Sequence, residues 1–173
     1  MPFYAPRGRR QMDDTALQIA KEALRQTELR LEDTQKNAGV AETRASHLAT
    51  ANLVLATLLV TLSKELSFEL PAFISAIVLV VSAFIAVGSV MPRKFHSRGH
   101  FWREWSPHID DGDTLFQAIS SQAAENDTRI AVNERSLETS ASLFRVALRC
   151  TLGAVTFFVA SQVTIIVCRA GLC

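Results

Sequence analysis

The sequence predicts an all-α membrane protein with three transmembrane helices, an N-terminal cytoplasmic helix and a long helix leading into the third span, assembled as a homo-oligomer. The chain has 173 residues, and 20% of them are charged. Three windows nevertheless contain no Asp, Glu, Lys or Arg: residues 45–63, 70–92 and 150–168. The shorter windows would form helices roughly 28 Å long, close to the ~30 Å hydrocarbon thickness of a bilayer. A water-soluble helix of this length carries charges on its exposed side, so the windows predict membrane spans.

The placement of Lys and Arg predicts the orientation of these spans, because positively charged loops resist translocation. Eight lie before the first window and eight between the second and third, whereas the hairpin holds only Lys64 and the tail only Arg169. We therefore expect the N-terminus and the middle segment in the cytoplasm and the C-terminus on the far side. The chain then divides into a basic arm and cytoplasmic helix (1–44), a transmembrane hairpin (45–92, with spans at about 45–63 and 72–91), a mostly helical cytoplasmic segment (93–149) and a third transmembrane helix with a short tail (150–173).

Composition excludes several other classes of protein. The two polar pieces outside the spans are too short to bury a core around a catalytic cleft. Three cysteines are an odd number and do not form a disulfide framework. Neither a Ser/His/Asp or Cys/His arrangement nor a glycine-rich phosphate loop is apparent, so we predict a protein that is not an enzyme and needs no cofactor.

A metal site is considered at a histidine-rich stretch after the second window. The candidate ligands are His96, His100, His108, Asp110, Asp111 and Asp113. Gly99 and Pro107 interrupt the helix that would bring the first two histidines to one face. We therefore predict no metal site, and interpret the stretch as juxtamembrane basic residues followed by a helix cap.

The N-terminal piece is expected to begin with a flexible basic arm over residues 1–11, which contains no acid. Asp13 or Asp14 then offers an N-cap for a helix over residues 15–36. Its apolar residues are a row seven residues apart, Leu17, Leu24 and Leu31, which should pack on a copy of itself or on another cytoplasmic helix. The stretch 37–39 predicts a break before helix resumes near Ala41.

The remaining elements follow from prolines, aromatic residues and turn signals. Pro71 should start the second span and Pro92 should end it. Phe101, Trp102 and Trp105 are interpreted as a lipid anchor at headgroup depth, with base stacking as the alternative. Residues 110–114 predict a capped turn. It is followed either by one long helix over 115–167 or by a helix kinked or broken around residues 126–133.

Polar side chains recur inside all three windows. On the first, a stripe on one face includes Thr50, Thr57 and Thr61, which either pack against another helix or line a water-filled pore. The second places Ser75, Ser82 and Ser89 one heptad apart, which predicts close helix packing. The third carries a row of small residues, Gly153, Thr156, Ala160 and Thr164. Gln162, on another face, is interpreted as the most polar side chain at membrane depth. We expect it to form a hydrogen bond across a subunit interface, with lining of a pore as the alternative.

Basic residues near the N-terminus form the candidate ligand site. They are Arg7, Arg9, Arg10, Lys21 and Arg25. Repetition around an oligomer axis would multiply their charge and attract anionic nucleotides or oligonucleotides, whereas in one chain they would be solvated or bound to lipid.

Several short motifs resemble a known family. Residues Glu42, Thr43, Arg44, Ala45 and Ser46 precede the first span as an acidic-x-basic-Ala-small motif, Pro92-Arg93 follows the second, and residues 130–137 form a polar stretch before the third. In this order they resemble the transmembrane effector domain of bacterial Pycsar antiphage systems and short nucleotide-gated relatives such as the Hailong channel. The resemblance implies a multi-pass effector of the bacterial inner membrane that depolarises the cell, with a nucleotide-synthesising enzyme as its partner in the system.

Two functional hypotheses follow. The first is a homo-oligomeric ion channel or pore, gated by a nucleotide or oligonucleotide, with the threonine stripe near the conduit. The alternative is a non-conducting membrane anchor that recruits a soluble partner through its cytoplasmic helices.

Overall fold

A computed structural model of the chain is helical throughout most of the residues it describes, which are 7–63, 69–91, 95–100 and 102–169. Side chains are described from Asp14 onward. Four helices follow one another: α1 (Arg7–Ser63), α2 (Glu69–Ser89), α3 (Trp102–Asp110) and α4 (Leu115–Arg169). Helices α1, α2 and α4 each contain a segment long and apolar enough to cross a membrane. The three predicted spans are therefore found in three separate helices.

The chain forms two compact units. We call Met1–Asn37 with Lys94–Ser136 the polar unit, and Ala38–Arg93 with Leu137–Cys173 the apolar unit. Helices α1 and α4 contribute residues to both, whereas α3 belongs to the polar unit and α2 to the apolar unit.

Helix α1 is longer and more continuous than the sequence predicted. It begins at Arg7, so part of the expected flexible arm is helical and neither Asp13 nor Asp14 caps the helix. It also passes through residues 37–39 without the expected break. A glycine inside a helix costs about 1 kcal/mol relative to alanine, and a helix that is already nucleated gains one hydrogen bond for each residue added. The break signal at Gly39 was too weak to end a helix of 57 residues.

The other helix boundaries agree with the prolines and turn signals. Pro71 lies in the first turn of α2 as predicted, while Pro92 lies outside the described residues. Pro107, however, lies inside α3 and does not interrupt it. Between α3 and α4, Gly112 adopts a φ of 70°, a left-handed conformation that glycine tolerates best.

A capping box starts α4 after this turn. The Gln117 backbone N–H donates to Thr114 Oγ1 (3.3 Å), and the Thr114 backbone N–H donates to Gln117 Oε1 (2.9 Å). From there α4 runs for 55 residues without interruption, as predicted.

The apolar unit is held together by a polar layer that joins its three helices. Asn52 of α1 is fully buried, and its Nδ2 donates to Ser82 Oγ of α2 (3.0 Å) and to Thr151 Oγ1 of α4 (2.9 Å). Ser82 Oγ in turn donates to the carbonyl oxygen of Ala147 (2.7 Å). Thr151 Oγ1 donates to Asn52 Oδ1, at 3.1 Å. Each of the three side chains is thereby hydrogen-bonded to another helix of the unit.

Small residues surround this polar layer and set the helix directions. One alanine cluster contains Ala49, Ala83, Ala86 and Ala147, and the other contains Ala56, Ala76, Leu79 and Ala154. From the first cluster to the second, the residue numbers rise in α1 and in α4 but fall in α2. Within the unit, α1 and α4 are parallel and α2 is antiparallel to both.

The serine heptad of α2 faces this core. Ser75, Ser82 and Ser89 are each at most 1% exposed. Ser75 Oγ donates to the carbonyl oxygen of Ala154 (3.3 Å), and Ser89 Oγ donates to that of Ala86 in its own helix (2.7 Å). The prediction that these serines serve close packing is confirmed.

Replacing Asn52 should weaken the apolar unit. We expect Asn52→Leu to lower its free energy of unfolding by about 1–2 kcal/mol, because hydrogen bonds between transmembrane helices each contribute roughly 0.6 kcal/mol and at most about 1.7 kcal/mol. Thermal unfolding of the purified protein in detergent measures this. Thr50→Val on the exposed side of α1 is the matched control, and an equal loss in both variants would contradict the assigned role of Asn52.

Replacing Gly39 should stabilise α1, since nothing lies within 4 Å of a Cβ atom added there. We expect Gly39→Ala to raise the free energy of unfolding by about 0.5–1 kcal/mol. Gly112→Ala is the control, because the φ of 70° at Gly112 makes alanine unfavourable. Helix content and melting temperature by circular dichroism separate the two, and a destabilised Gly39→Ala would indicate the break that the sequence predicted.

Candidate functional site

The threonine stripe lies on the surface of the apolar unit. Thr50, Thr57 and Thr61 are all exposed, as are Thr43 and His47. Thr57 Oγ1 donates to the carbonyl oxygen of Leu53 and Thr61 Oγ1 to that of Thr57, both at 2.9 Å. The hydroxyl hydrogens of Thr57 and Thr61 are satisfied by the helix itself, so these two threonines offer their oxygen lone pairs to a further partner. The pore-lining role of these residues stays a prediction.

A groove adjoins two of the three threonines. It lies between α1 and α2 and has a volume of about 430 Å³. Its lining residues are Ala56, Thr57, Val60, Thr61, Phe73, Ala76, Ile77, Val80 and Val81. Apart from the two threonine hydroxyls the side chains of the groove are apolar, which suits it to a helix or an acyl chain.

The apolar part of α4 is barely covered by its own chain. Only 6% of its most apolar window is buried, against 22% in α1 and 39% in α2. All four members of the small-residue row are exposed: Gly153, Thr156, Ala160 and Thr164. The described part of the chain therefore leaves one long face of α4 uncovered.

Gln162 lies on this helix but is not the polar residue that organises the spans. Its Nε2 atom is buried and has no hydrogen-bond partner in the part of the chain that the structure describes. Asn52, an equally polar amide, is the one at the centre of the apolar unit. The sequence-based ranking of Gln162 as the most polar side chain at membrane depth was wrong, because it passed over Asn52.

Two further asparagines pair α1 with α4 in the polar unit. Asn126 Nδ2 donates to Thr27 Oγ1 (3.2 Å), and Asn133 Nδ2 donates to Thr34 Oγ1 (3.1 Å). All four residues are buried, with Leu31 fully buried between the two threonines along α1. The leucine row thus faces α4 at Leu31. Of the two partners predicted for this row, a copy of itself or another helix of the chain, the structure shows the second.

The segment before α3 is hydrogen-bonded to these asparagines. The side-chain amide of Asn133 bonds both the backbone N–H and the carbonyl oxygen of His96, each at 2.9 Å. His100, whose side chain is 2% exposed, places Nε2 3.0 Å from Asn126 Oδ1 and Nδ1 3.0 Å from Glu104 Oε2. Among the described residues, no three His, Cys, Asp or Glu side chains lie close enough together to hold a metal ion.

The aromatic residues of this segment have different environments. Trp105 is half-buried and stacks edge-on against the His100 ring, with centroids 6.1 Å apart. The lipid anchor expected for it stays a prediction. Trp102 is 72% exposed, and Phe101 lies outside the described residues.

Glu104 contacts both His100 and Arg129. Arg129 Nη2 lies 3.2 Å from Glu104 Oε1 and 2.6 Å from Glu125 Oε1. Burial by itself lowers the pKa of Arg129, but the hydrogen bond to Glu125 and the charges of Glu125 and Glu104 raise it overall. The arginine therefore stays charged between the two carboxylates.

Only part of the candidate anion site falls within the described side chains. Lys21 and Arg25 are exposed on α1, whereas the side chains of Arg7, Arg9 and Arg10 are outside the described set. Arg25 makes a two-pronged ion pair with Glu22, at 2.8 and 2.7 Å. The hydrogen bond from Arg25, helped by one from Gln26, lowers the pKa of Glu22 to about 2. Much of the charge of Arg25 is thus neutralised within its own helix.

Comparison with known proteins assigns the family. The chain matches the Pycsar effector protein domain over residues 26–167, a range that covers all three spans and most of the polar unit. It matches no curated protein and no solved structure. The resemblance to the Pycsar transmembrane effector domain is thereby confirmed. The chain belongs to the family of Pycsar effector protein domains, which are membrane effectors of antiphage defence and not enzymes.

Proposed function

We propose that this protein is a homo-oligomeric ion channel or pore of the bacterial inner membrane, gated by a nucleotide or oligonucleotide and depolarising the cell when open. In this proposal several copies surround a conduit, with the N-terminal helices as a cytoplasmic gate. The N-terminus is cytoplasmic and the C-terminus periplasmic, in agreement with the positions of Lys and Arg.

The uncovered face of α4 is the observation that carries the proposal. The small residues Gly153, Thr156, Ala160 and Thr164 are exposed on it, and only 6% of the most apolar window of α4 is buried. Rows of small residues are the usual contact surfaces between transmembrane helices. In the proposed oligomer a sister subunit packs against this face.

The threonine stripe is the best candidate for the wall of the conduit. Thr50, Thr57 and Thr61 form an outward-facing polar row, and polar residues in a membrane usually face a bundle interior or an aqueous cavity. The described helices of one chain leave this row on their outer surface, so the conduit has to form between copies.

Conductance in planar bilayers tests the channel. We expect the purified protein to pass current, and the double variant Thr57→Val, Thr61→Val to show a lower unitary conductance, because an apolar lining dewets more readily. Thr128→Val is the matched control, since Thr128 makes the same bond to its own helix outside the spans. Absence of current with and without nucleotides would eliminate the channel, and a stoichiometric soluble partner under those conditions would favour the membrane anchor.

Removal of the N-terminal arginines tests the gate. We expect Arg7→Ala, Arg9→Ala and Arg10→Ala together to weaken oligonucleotide binding. The slope of log K against log salt should fall by up to about 2 per chain, at about 0.7 for each phosphate that is no longer neutralised. Three alanines at Arg30, Arg103 and Arg145 make a control of equal net charge. Equal affinities and salt slopes in both triple variants would remove the arm from the mechanism.

A further inference from the structure

The groove between α1 and α2 is open on the surface of the apolar unit. Its lining comes from α1 and α2 alone, and its volume is about 430 Å³. Two of the lining residues, Ala56 and Ala76, also pack in the core cluster that contains Ala154 of α4. The groove and Ala154 therefore lie at the same depth in the unit.

The outer side of α4 is open at that depth as well. Ala154 is buried against α1 and α2, and Thr156, two residues later, is turned from it by about 200° around the helix. Thr156 and Val163 are exposed, and only 6% of the most apolar window of α4 is buried. One copy thus offers both an apolar groove and a helix that its own chain barely covers.

We propose that this groove binds α4 of a second copy, with Thr156 of that copy beside Thr57. Copies related by an axis along the membrane normal keep the same depth, so Thr156 of one copy is level with the groove of the next. Thr57 lines the groove, and its hydroxyl hydrogen is bonded to its own helix, which leaves oxygen lone pairs for a threonine of the second copy. The inference rests on the homo-oligomer of the proposed function and adds which surfaces meet.

The size of the contact favours a closed ring over a pair of copies. The apolar window of α4 has 18 residues, and a helix of that length is about 27 Å long and about 10 Å across. Seating half of its surface therefore covers on the order of 400 Å² on each partner, whereas stable interfaces bury about 800 Å² on each partner. The groove and the outer side of α4 are different surfaces, so every copy in a ring makes two such contacts.

The seam between two copies then runs along the threonine stripe. Thr57 and Thr61 line the groove, whereas Thr50 is not among its lining residues. A conduit between subunits is therefore bounded by α1 of one copy and α4 of the next. A lipid acyl chain in the groove would instead leave the outer side of α4 without a protein partner.

Disulfide cross-linking between two differently tagged, co-expressed copies tests the contact in membranes. Alanine first replaces the native cysteines, which are Cys150, Cys168 and Cys173. One copy carries Thr57→Cys, and the other carries a single cysteine at one of the positions 152–163 of α4. We expect oxidation to join the copies most efficiently at Thr156→Cys and not at Ala154→Cys, the control that faces the core of its own copy.

Other cross-linking patterns would overturn the proposal. A disulfide between two copies that both carry Thr156→Cys, with none to Thr57→Cys, would indicate that α4 packs on α4. Absence of a product at every position of the scan would indicate that lipid covers both surfaces. A cross-link in a protein that passes no current would eliminate the channel and keep this interface, and current without the cross-link would do the reverse.

Filling the groove gives a second test. Ile77 lines it, whereas Val87 of the same helix is about equally exposed outside the groove, 51% against 48%. We expect Ile77→Trp to lower the mass of the assembly, measured by sedimentation in detergent, and Val87→Trp to leave it unchanged. The same mass for both variants would contradict a second copy in the groove.

Discussion

The contact on which the apolar unit depends is the buried layer of Asn52, Ser82 and Thr151. In a bilayer, helices gain little from burying apolar side chains against one another, so close packing and hydrogen bonds have to hold them together. Alanine layers on both sides bring the backbones near enough for one amide to reach two other helices. The layer also fixes the register, because sliding any helix by one residue would leave a buried amide or hydroxyl without its partner.

The polar unit uses the same kind of hydrogen bonds outside the three uncharged windows. Its Asn–Thr pairs, like Asn52 and Thr151 in the apolar unit, are separated by 99 residues, so α1 and α4 are parallel and in register within each unit. A lone buried amide among apolar residues specifies alignment in coiled coils at some cost in stability. Here Asn126 and Asn133 also bind the segment before α3, and the helix pairing is thereby coupled to the position of that segment.

Periodic features of the sequence predicted the fold well, and isolated residues predicted it poorly. The uncharged windows, the serine heptad and the turn before α4 each produce a local pattern, and the structure contains all of them. Asn52 was missed because it stands alone on its face of α1, with partners 30 and 99 residues away. The break expected at Gly39 failed for the converse reason, since a local signal was weighed without the length of the helix around it. The exposed threonines were found by their spacing, but spacing cannot distinguish a pore wall from a packing face, which depends on neighbouring copies.

The hydrogen bonds of the Asn52 layer limit where ions could pass in the proposed channel. Each side chain of the layer is hydrogen-bonded to another helix of the unit, and the two clusters of alanines and Leu79 pack on either side of it. Opening a path through this core would expose several buried partners at once, which is costly in a medium without water. The exposed threonines of α1 and the uncovered face of α4 already lie on the surface, so a path along them breaks no hydrogen bond between the helices of a unit. Conduction in the proposed channel therefore requires a path between subunits, and gating requires only that rigid three-helix units move relative to one another.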